Sequence, residues 1–153
     1  MTMKEKIMTA FKNLGFELNK MDDSLYGFEY EGINFIWMWT DDEDFLSISI
    51  PAIVNFDPSD ELDFYKLTDK FTATYKYVKA YRFADSMCLF YERELIGEEN
   101  LELVIPHMLL QLESIMRSMR EALSETSEDG EEKADEDDDS FVIEDVEILD
   151  DND

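Results

Sequence analysis

Cysteine and histidine are almost absent from this chain of 153 residues, which has Cys88 as its single cysteine and His107 as its single histidine. One cysteine excludes an internal disulfide and is typical of a reducing compartment, so we expect a cytoplasmic protein. A Ser-His-Asp triad or a histidine-based metal site would have to use His107, which has no cysteine beside it. We therefore predict no metal, no cofactor and no enzymatic role, with Cys88 in the sheet or core and His107 on a helix surface.

Positive charge and long apolar runs are also scarce. The chain has 13 lysines and arginines against 39 acidic residues, a net charge of -26. Residues 124–153 hold 16 of the acids and one base, which leaves a net charge of -11 in residues 1–123. An acidic surface is repelled by phosphates, so we expect no nucleic-acid partner. No apolar run approaches the roughly 20 residues of a membrane helix, and we expect no membrane partner.

Glycine is too sparse to form a phosphate-binding loop: the five glycines are scattered along the chain. The acidic run Asp41–Asp44 could offer oxygen ligands to a cation. It lacks the alternating acids and central glycine of a calcium-binding loop. We interpret it as a solvated turn.

The strongest pattern that is present runs from Gly32 to Pro51. Its two halves alternate with a period of two, which is the signature of strands, and the acidic turn separates them. One face of the first half carries Ile33, Phe35, Trp37 and Trp39. In the second half Leu46, Ile48 and Ile50 alternate with Ser47 and Ser49. The pattern predicts a β-hairpin with one apolar face that helices must cover.

The other periodicities place this hairpin within an α+β domain. Thr2 and Glu5 form a capping box at the start of a first helix, and Asp57 and Pro58 begin a second. Pro106 predicts a kink or a broken first turn in the last helix. The predicted order is helix, three-stranded antiparallel meander, helix, two strands and C-terminal helix, arranged as a two-layer sandwich. The other helix and strand ranges are 2–14, 25–31, 76–83, 87–96 and 101–123, with a further short edge strand possible at 16–18.

The composition changes abruptly after residue 123. We predict an α+β domain over residues 1–123 and an acidic tail over residues 124–153, which contains too little apolar surface to fold alone. Within the tail, residues 141–149 form a short apolar segment. It could return to an edge or groove of the domain, with Phe141, Ile143, Val146 and Ile148 as docking residues, or simply keep the protein soluble.

The order of elements, the acidic charge and the aromatic strand with Trp37 and Trp39 resemble the type III secretion chaperone-like fold, including its YbjN branch of bacterial proteins. The resemblance implies an antiparallel α+β sandwich, a homodimer, and a role in holding partner polypeptides without ATP. For the YbjN branch it implies regulation or stress response. The acidic tail departs from the secretion chaperones.

The predicted function is therefore a non-enzymatic module that binds a protein or peptide through an aromatic groove or an exposed sheet edge. Aromatic side chains left on the surface mark partner sites, whereas buried ones build the core. The candidates for partner binding are Tyr26, Tyr30, Trp37, Trp39, Tyr77 and Tyr81. A small-molecule-sensing regulatory domain is the alternative, and a hydrolase with an unrecognised site is a third.

Overall fold

The computed structural model describes residues 1–55, 57–83 and 85–122. The chain divides into two units, Met1–Arg117 and Ser118–Asp153. The following description concerns the first unit and the helical residues 118–122. The predicted boundary after residue 123 and the predicted docking residues Phe141, Ile143, Val146 and Ile148 lie outside the described residues and stay predictions.

The described residues contain three α-helices and six strands, and the helices are α1 (Met3–Asn13), α2 (Glu61–Thr74) and α3 (101–122). A single 3-10 turn, Pro58–Asp60, leads into α2. The strands are β1 (Asn19–Lys20), β2 (Leu25–Tyr30), β3 (Ile33–Met38), β4 (Phe45–Asn55), β5 (Val78–Phe83) and β6 (Ser86–Glu94). This α+β order confirms the predicted fold class. The short edge strand is β1 at Asn19–Lys20, and not the predicted range 16–18.

Local signals fix the ends of α1. The Glu5 amide donates to Thr2 Oγ1 at 3.1 Å, and the Thr2 amide donates to Glu5 Oε1 at 2.9 Å, so the capping box is confirmed. Gly15 has a φ of 90°, a left-handed conformation that ends the helix without a Cβ clash. This turn lets the chain run back from α1 towards the sheet.

All pairs in the sheet are antiparallel, in the order β1-β2-β3-β4-β6-β5. Residues opposite each other in the ladder share a face of the sheet. One row across five strands consists of Tyr26, Trp37, Ile48, Tyr91 and Val78, all buried. The side of the sheet that bears this row is the helix face. The opposite side, called the open face, bears the adjacent row of Gly27, Ile36, Ser49, Phe90 and Lys79.

Each helix contacts the helix face. Phe11 of α1 lies 5.6 Å from Trp37 between ring centroids. Arg82 of β5 bonds to Glu61 of α2 at 2.6 Å. His107 of α3 contacts Tyr77, just before β5. The layered arrangement therefore places the apolar row between the sheet and its helices, as expected from the alternation.

Strand β4 is longer than predicted. The expected hairpin ended at Pro51, whereas the strand continues to Asn55 through a shift of register between Ile50 and Val54. A bulge tolerates proline because the ladder is interrupted there. The carbonyl of Pro51 accepts a hydrogen bond from Cys88 Sγ at 2.8 Å. The shift thus creates a partner for the thiol of the neighbouring strand.

The start of α3 also differs from the prediction. Residues 101–105 are helical, so the turn preceding Pro106 is formed and not broken. Asn100 caps it, because its side-chain oxygen accepts from the Glu102 amide at 3.1 Å. Pro106 lies in the second turn and has no amide hydrogen, so the Glu102 carbonyl lacks its usual helical donor, and the predicted kink stays a prediction.

Candidate functional site

Three of the six predicted partner-binding aromatics lie in the core. Trp37, Tyr26 and Trp39 are 0%, 5% and 7% exposed. The rings of Tyr26 and Trp37 stack with centroids 4.8 Å apart, and Trp39 Nε1 donates to Asp41 at 2.8 Å. Tyr30 is half-buried against Phe16. Their predicted contact with a partner stays a prediction, and for the three core residues it would require the sheet and helices to separate.

Tyr81 is exposed on the open face. Its ring stacks on Phe90 with a centroid distance of 4.6 Å and an interplanar angle of 14°. Tyr81 remains 42% exposed and Phe83, two residues further along β5, is 69% exposed. Burial, with the nearby Glu92 carboxylate as a smaller cause, raises the pKa of the Tyr81 phenol. We call Tyr81, Phe83 and Phe90 the aromatic strip.

A polar pair borders the aromatic strip. Lys79 Nζ lies 3.0 Å from Glu92 Oε1, and Ser47 Oγ donates to Glu92 Oε2 at 3.0 Å. Aromatic side chains with a hydrogen-bonding rim are typical of the central residues of protein interfaces. The aromatic strip has the chemistry of a contact surface for a polypeptide.

Tyr77 lies on the other side of the sheet, although the alternation in residues 76–83 placed it on the same face as Tyr81. Its φ is 74°, a left-handed value that is unfavourable for a bulky residue. This conformation turns the ring onto Tyr91 of the helix face, parallel within 5° at 5.5 Å, and edge-on to His107 at 6.2 Å. Tyr77 is still 64% exposed. The structure therefore does not bring the two exposed tyrosines together.

An open cavity of about 310 Å³ lies between α1 and the segment that follows it. Its walls are Met8, Thr9, Lys12, Phe16 and Leu18. Helical periodicity and strand alternation do not reveal this cavity, because it depends on the turn at Gly15. Its volume is at the lower limit of small-molecule sites.

Two reactive side chains occur in settings typical of structural residues. Cys88 is 2% exposed, and burial raises the pKa of its thiol to about 11. A thiol of that kind is a poor nucleophile. His107 is exposed and contacts an aromatic ring. Among the described residues, no group of three or more His, Cys, Asp and Glu side chains is placed to hold a metal ion.

The described part of the chain contains no helix that is both long and apolar enough to cross a membrane. No family model matches the sequence, and no curated protein matches it. The solved structures do contain a match: the crystal structure of YbjN from E. coli, described there as a candidate transcription regulator. The match has a TM-score of 0.57 and 14% sequence identity, and it covers 80% of this chain and 93% of YbjN. The chain therefore has a YbjN-like fold, and the comparison does not single out the type III secretion chaperones.

Proposed function

We propose that this YbjN-like chain is a non-enzymatic binding module for a protein or peptide, with the aromatic strip as its contact surface. The observation that supports it is the exposed Tyr81, whose ring stacks on the buried Phe90, together with the more exposed Phe83 on the same face. Large aromatic side chains supply much contact area at a small cost in conformational entropy. An apolar segment of a partner would cover this surface and leave Lys79 and Glu92 at the rim.

A regulatory role is consistent with this proposal. The YbjN structure is described as that of a candidate transcription regulator. The chain has a net charge of -26, and it is poorly suited to direct contact with DNA because the DNA phosphates repel it. If this chain acts in regulation, we propose that it does so by binding another protein in the cytoplasm.

The proposal can be tested by affinity capture with the full-length chain as bait, followed by mass spectrometry. We expect the wild-type chain to retain a polypeptide that the double variant Tyr81→Ser, Phe83→Ser loses. Met21→Ser is the control, because Met21 is 58% exposed between β1 and β2, at the opposite edge of the sheet from β5. Equal retention by the strip variant and the wild type would exclude the aromatic strip as the contact surface.

We also propose that the chain forms a homodimer. Leu62 and Tyr65 of α2 are 66% and 47% exposed, and Tyr65 lies beside Arg82 of β5. A second copy could cover this apolar area, which agrees with the family resemblance. Light scattering at micromolar concentration measures the mass directly, and a monomer mass would refute this proposal.

A small-molecule sensor is the second candidate, favoured by the cavity at α1. Its walls are apolar except for Thr9 and Lys12, which suits an apolar ligand with one acidic group. Native mass spectrometry of the purified chain would show such a ligand as an added mass. Met8→Trp should fill the cavity and abolish the added mass.

A further inference from the structure

Helix α3 has an exposed apolar stripe on its outer side. Leu103 and Leu110 are 70% and 53% exposed, and the exposed His107 lies between them. The spacing of four and three residues places the three side chains on one face of the helix. The opposite face is fully used, because Ile105, Met108, Leu109 and Leu112 are buried. A helix that needs one apolar face for its own domain therefore carries two.

Tyr77 widens this outer stripe. Its ring meets His107 edge-on at 6.2 Å and is 64% exposed. A left-handed backbone is unfavourable at a bulky residue, and such strain is concentrated at functional positions. The strained conformation turns Tyr77 towards α3. We call Tyr77, Leu103, His107 and Leu110 the α3 patch.

We infer that the α3 patch docks a cationic amphipathic helix of a partner protein. The exposed carboxylates Glu98 and Glu102 lie at the N-terminal end of the patch, and residues 1–123 carry a net charge of -11. Opposite charge attracts a lysine- or arginine-bearing partner. The carboxylates of Glu98 and Glu102 repel anionic lipid, nucleic acid and the same acidic flank of a second copy, so these are less suitable occupants of the α3 patch.

The size of the α3 patch fits a short helical contact. Leu103 and Leu110 are seven residues apart, which is about 10 Å along a helix. Two turns of a partner helix, with apolar residues at i, i+3, i+4 and i+7, present a stripe of that length. The rows of side chains on two such helices can interlock, with the lysines of the partner on the acidic flank. A contact this small is expected to be transient, as small interfaces generally are.

This surface is separate from the aromatic strip, since Tyr81 lies on the open face and the α3 patch lies on the helix side. The inference therefore goes beyond the proposed function, and either can fail without the other.

The test uses the full-length chain and a fluorescently labelled synthetic helical peptide of about four turns. The peptide has leucine at the positions i, i+3, i+4 and i+7 that form one face, and lysine at the other positions. We expect anisotropy to show saturable binding, weakened roughly tenfold or more by Leu103→Ser with Leu110→Ser, which removes the apolar contact without a change in charge. Both leucines are exposed, so the unfolding midpoint should not change. Amide chemical shifts in the wild type should move at Tyr77, Leu103, His107 and Leu110.

Three matched controls define the site. A peptide of the same composition with its leucines out of helical register should not bind. Met21→Ser removes an exposed apolar side chain between β1 and β2, at the opposite edge of the sheet from β5, and should leave the affinity unchanged. Tyr81→Ser with Phe83→Ser should also bind the peptide as the wild type does.

Three results would overturn the inference. The first is wild-type affinity in the Leu103→Ser, Leu110→Ser variant. The second is an equal loss in the Met21→Ser variant, which would show that the peptide binds exposed apolar residues without regard to site. The third is binding of the chain to phosphatidylglycerol vesicles that the same α3 substitutions abolish, because the occupant would then be a membrane.

Discussion

The side-chain hydroxyl of Thr72 forms hydrogen bonds with both the backbone amide and the backbone carbonyl of Ala80. Thr72 Oγ1 accepts from the Ala80 amide at 2.9 Å and donates to the Ala80 carbonyl at 3.1 Å. Ala80 is in the middle of β5, at the edge of the sheet, where unpaired backbone groups invite another strand. Helix α2 thereby supplies hydrogen-bond partners to the backbone of Ala80 at this edge. A partner strand cannot pair at Ala80 without displacing the Thr72 hydroxyl. A partner was expected to bind either an aromatic groove or an exposed sheet edge. The hydroxyl of Thr72 obstructs the edge at Ala80, so the aromatic strip is the more accessible of the two surfaces.

Thr72→Val should therefore open the edge. Valine keeps the shape of threonine and removes the hydroxyl, so the Ala80 amide and carbonyl lose their partner. We expect a loss of about 1 kcal/mol in the free energy of unfolding, because water can partly replace the bond at an exposed edge. We also expect concentration-dependent self-association in light scattering. Thr72→Ser retains the hydroxyl and should behave as the wild type; if it self-associates equally, the hydrogen bonds to Ala80 are not what protects the edge.

The conformation of Tyr77 can be tested with two substitutions that remove the same ring. Asparagine tolerates the left-handed region, whereas the β-branched valine does not. We expect Tyr77→Val to lower the free energy of unfolding by about 1–2 kcal/mol more than Tyr77→Asn does. Urea denaturation of both variants measures the difference. Equal stabilities would mean that residue 77 leaves the left-handed region at no cost.

We attribute the shortness of β1 to repulsion between Glu17 and Glu29, which a substitution at residue 17 can turn into attraction. Asn19 pairs with Gly27, so the same register continued outward would place Glu17 opposite Glu29. Like charges directly opposite each other weaken a ladder. We predict that Glu17→Lys lengthens β1 and raises the free energy of unfolding by about 0.2–1 kcal/mol. Amide exchange at residues 17–18 should slow. Glu17→Gln should give a smaller gain, and no protection in either variant would refute the explanation.

Glu99 predicts a stability loss in acid. Its carboxylate accepts from the Ile96 amide at 2.8 Å and the Gly97 amide at 2.9 Å, and these bonds, with the Ile96 amide the largest cause, hold its pKa below the ordinary glutamate value. A lowered pKa in the folded state means that the stabilisation is present above the unfolded-state pKa and is lost as the pH falls through the folded-state pKa. Glu99→Gln should be less stable than the wild type at pH 7, and the difference should shrink in acid.

Urea midpoints measured from neutral pH down into the acid range would show this convergence. Glu98→Gln is the matched control for the loss of one adjacent exposed negative charge, and at pH 7 it should unfold at the wild-type urea midpoint. Parallel profiles for Glu99→Gln and the wild type would contradict the assigned role of these hydrogen bonds.

Signals carried within a few residues of sequence were sufficient for much of the fold. Thr2 with Glu5 marked the start of α1, and Asp57 with Pro58 marked the entry to α2. In each case the side chain that sets the geometry is next to the backbone that adopts it. Alternation also identified the apolar face of the central hairpin, where Phe35, Trp37 and Ile48 are buried. It did not show that Ser47 and Ser49 on the opposite face are buried too.

The candidate surfaces were harder to predict because they depend on contacts between distant residues. Alternation placed Tyr77 with Tyr81, and only the stacking on Tyr91 and His107 shows why the backbone departs from it. Leu103 and Leu110 belong to an apolar helix sequence, and periodicity alone does not say that the domain leaves them outside. Likewise, the methyl side chain of Ala80 gives no sign that its backbone amide and carbonyl bond to Thr72 of α2.

The two tryptophans provide the protein with an optical reporter of its own interior. Trp37 is fully buried, its Nε1 finds no hydrogen-bond partner within the described residues, and its ring stacks on Tyr26. Trp39 donates instead to the carboxylate of Asp41. We expect Trp37 to give a blue-shifted emission component, which receives excitation energy by transfer from Tyr26. We expect Trp39 to give a component at longer wavelength that is partly quenched. Loosening of the helices from the sheet would therefore be visible in fluorescence with no label attached.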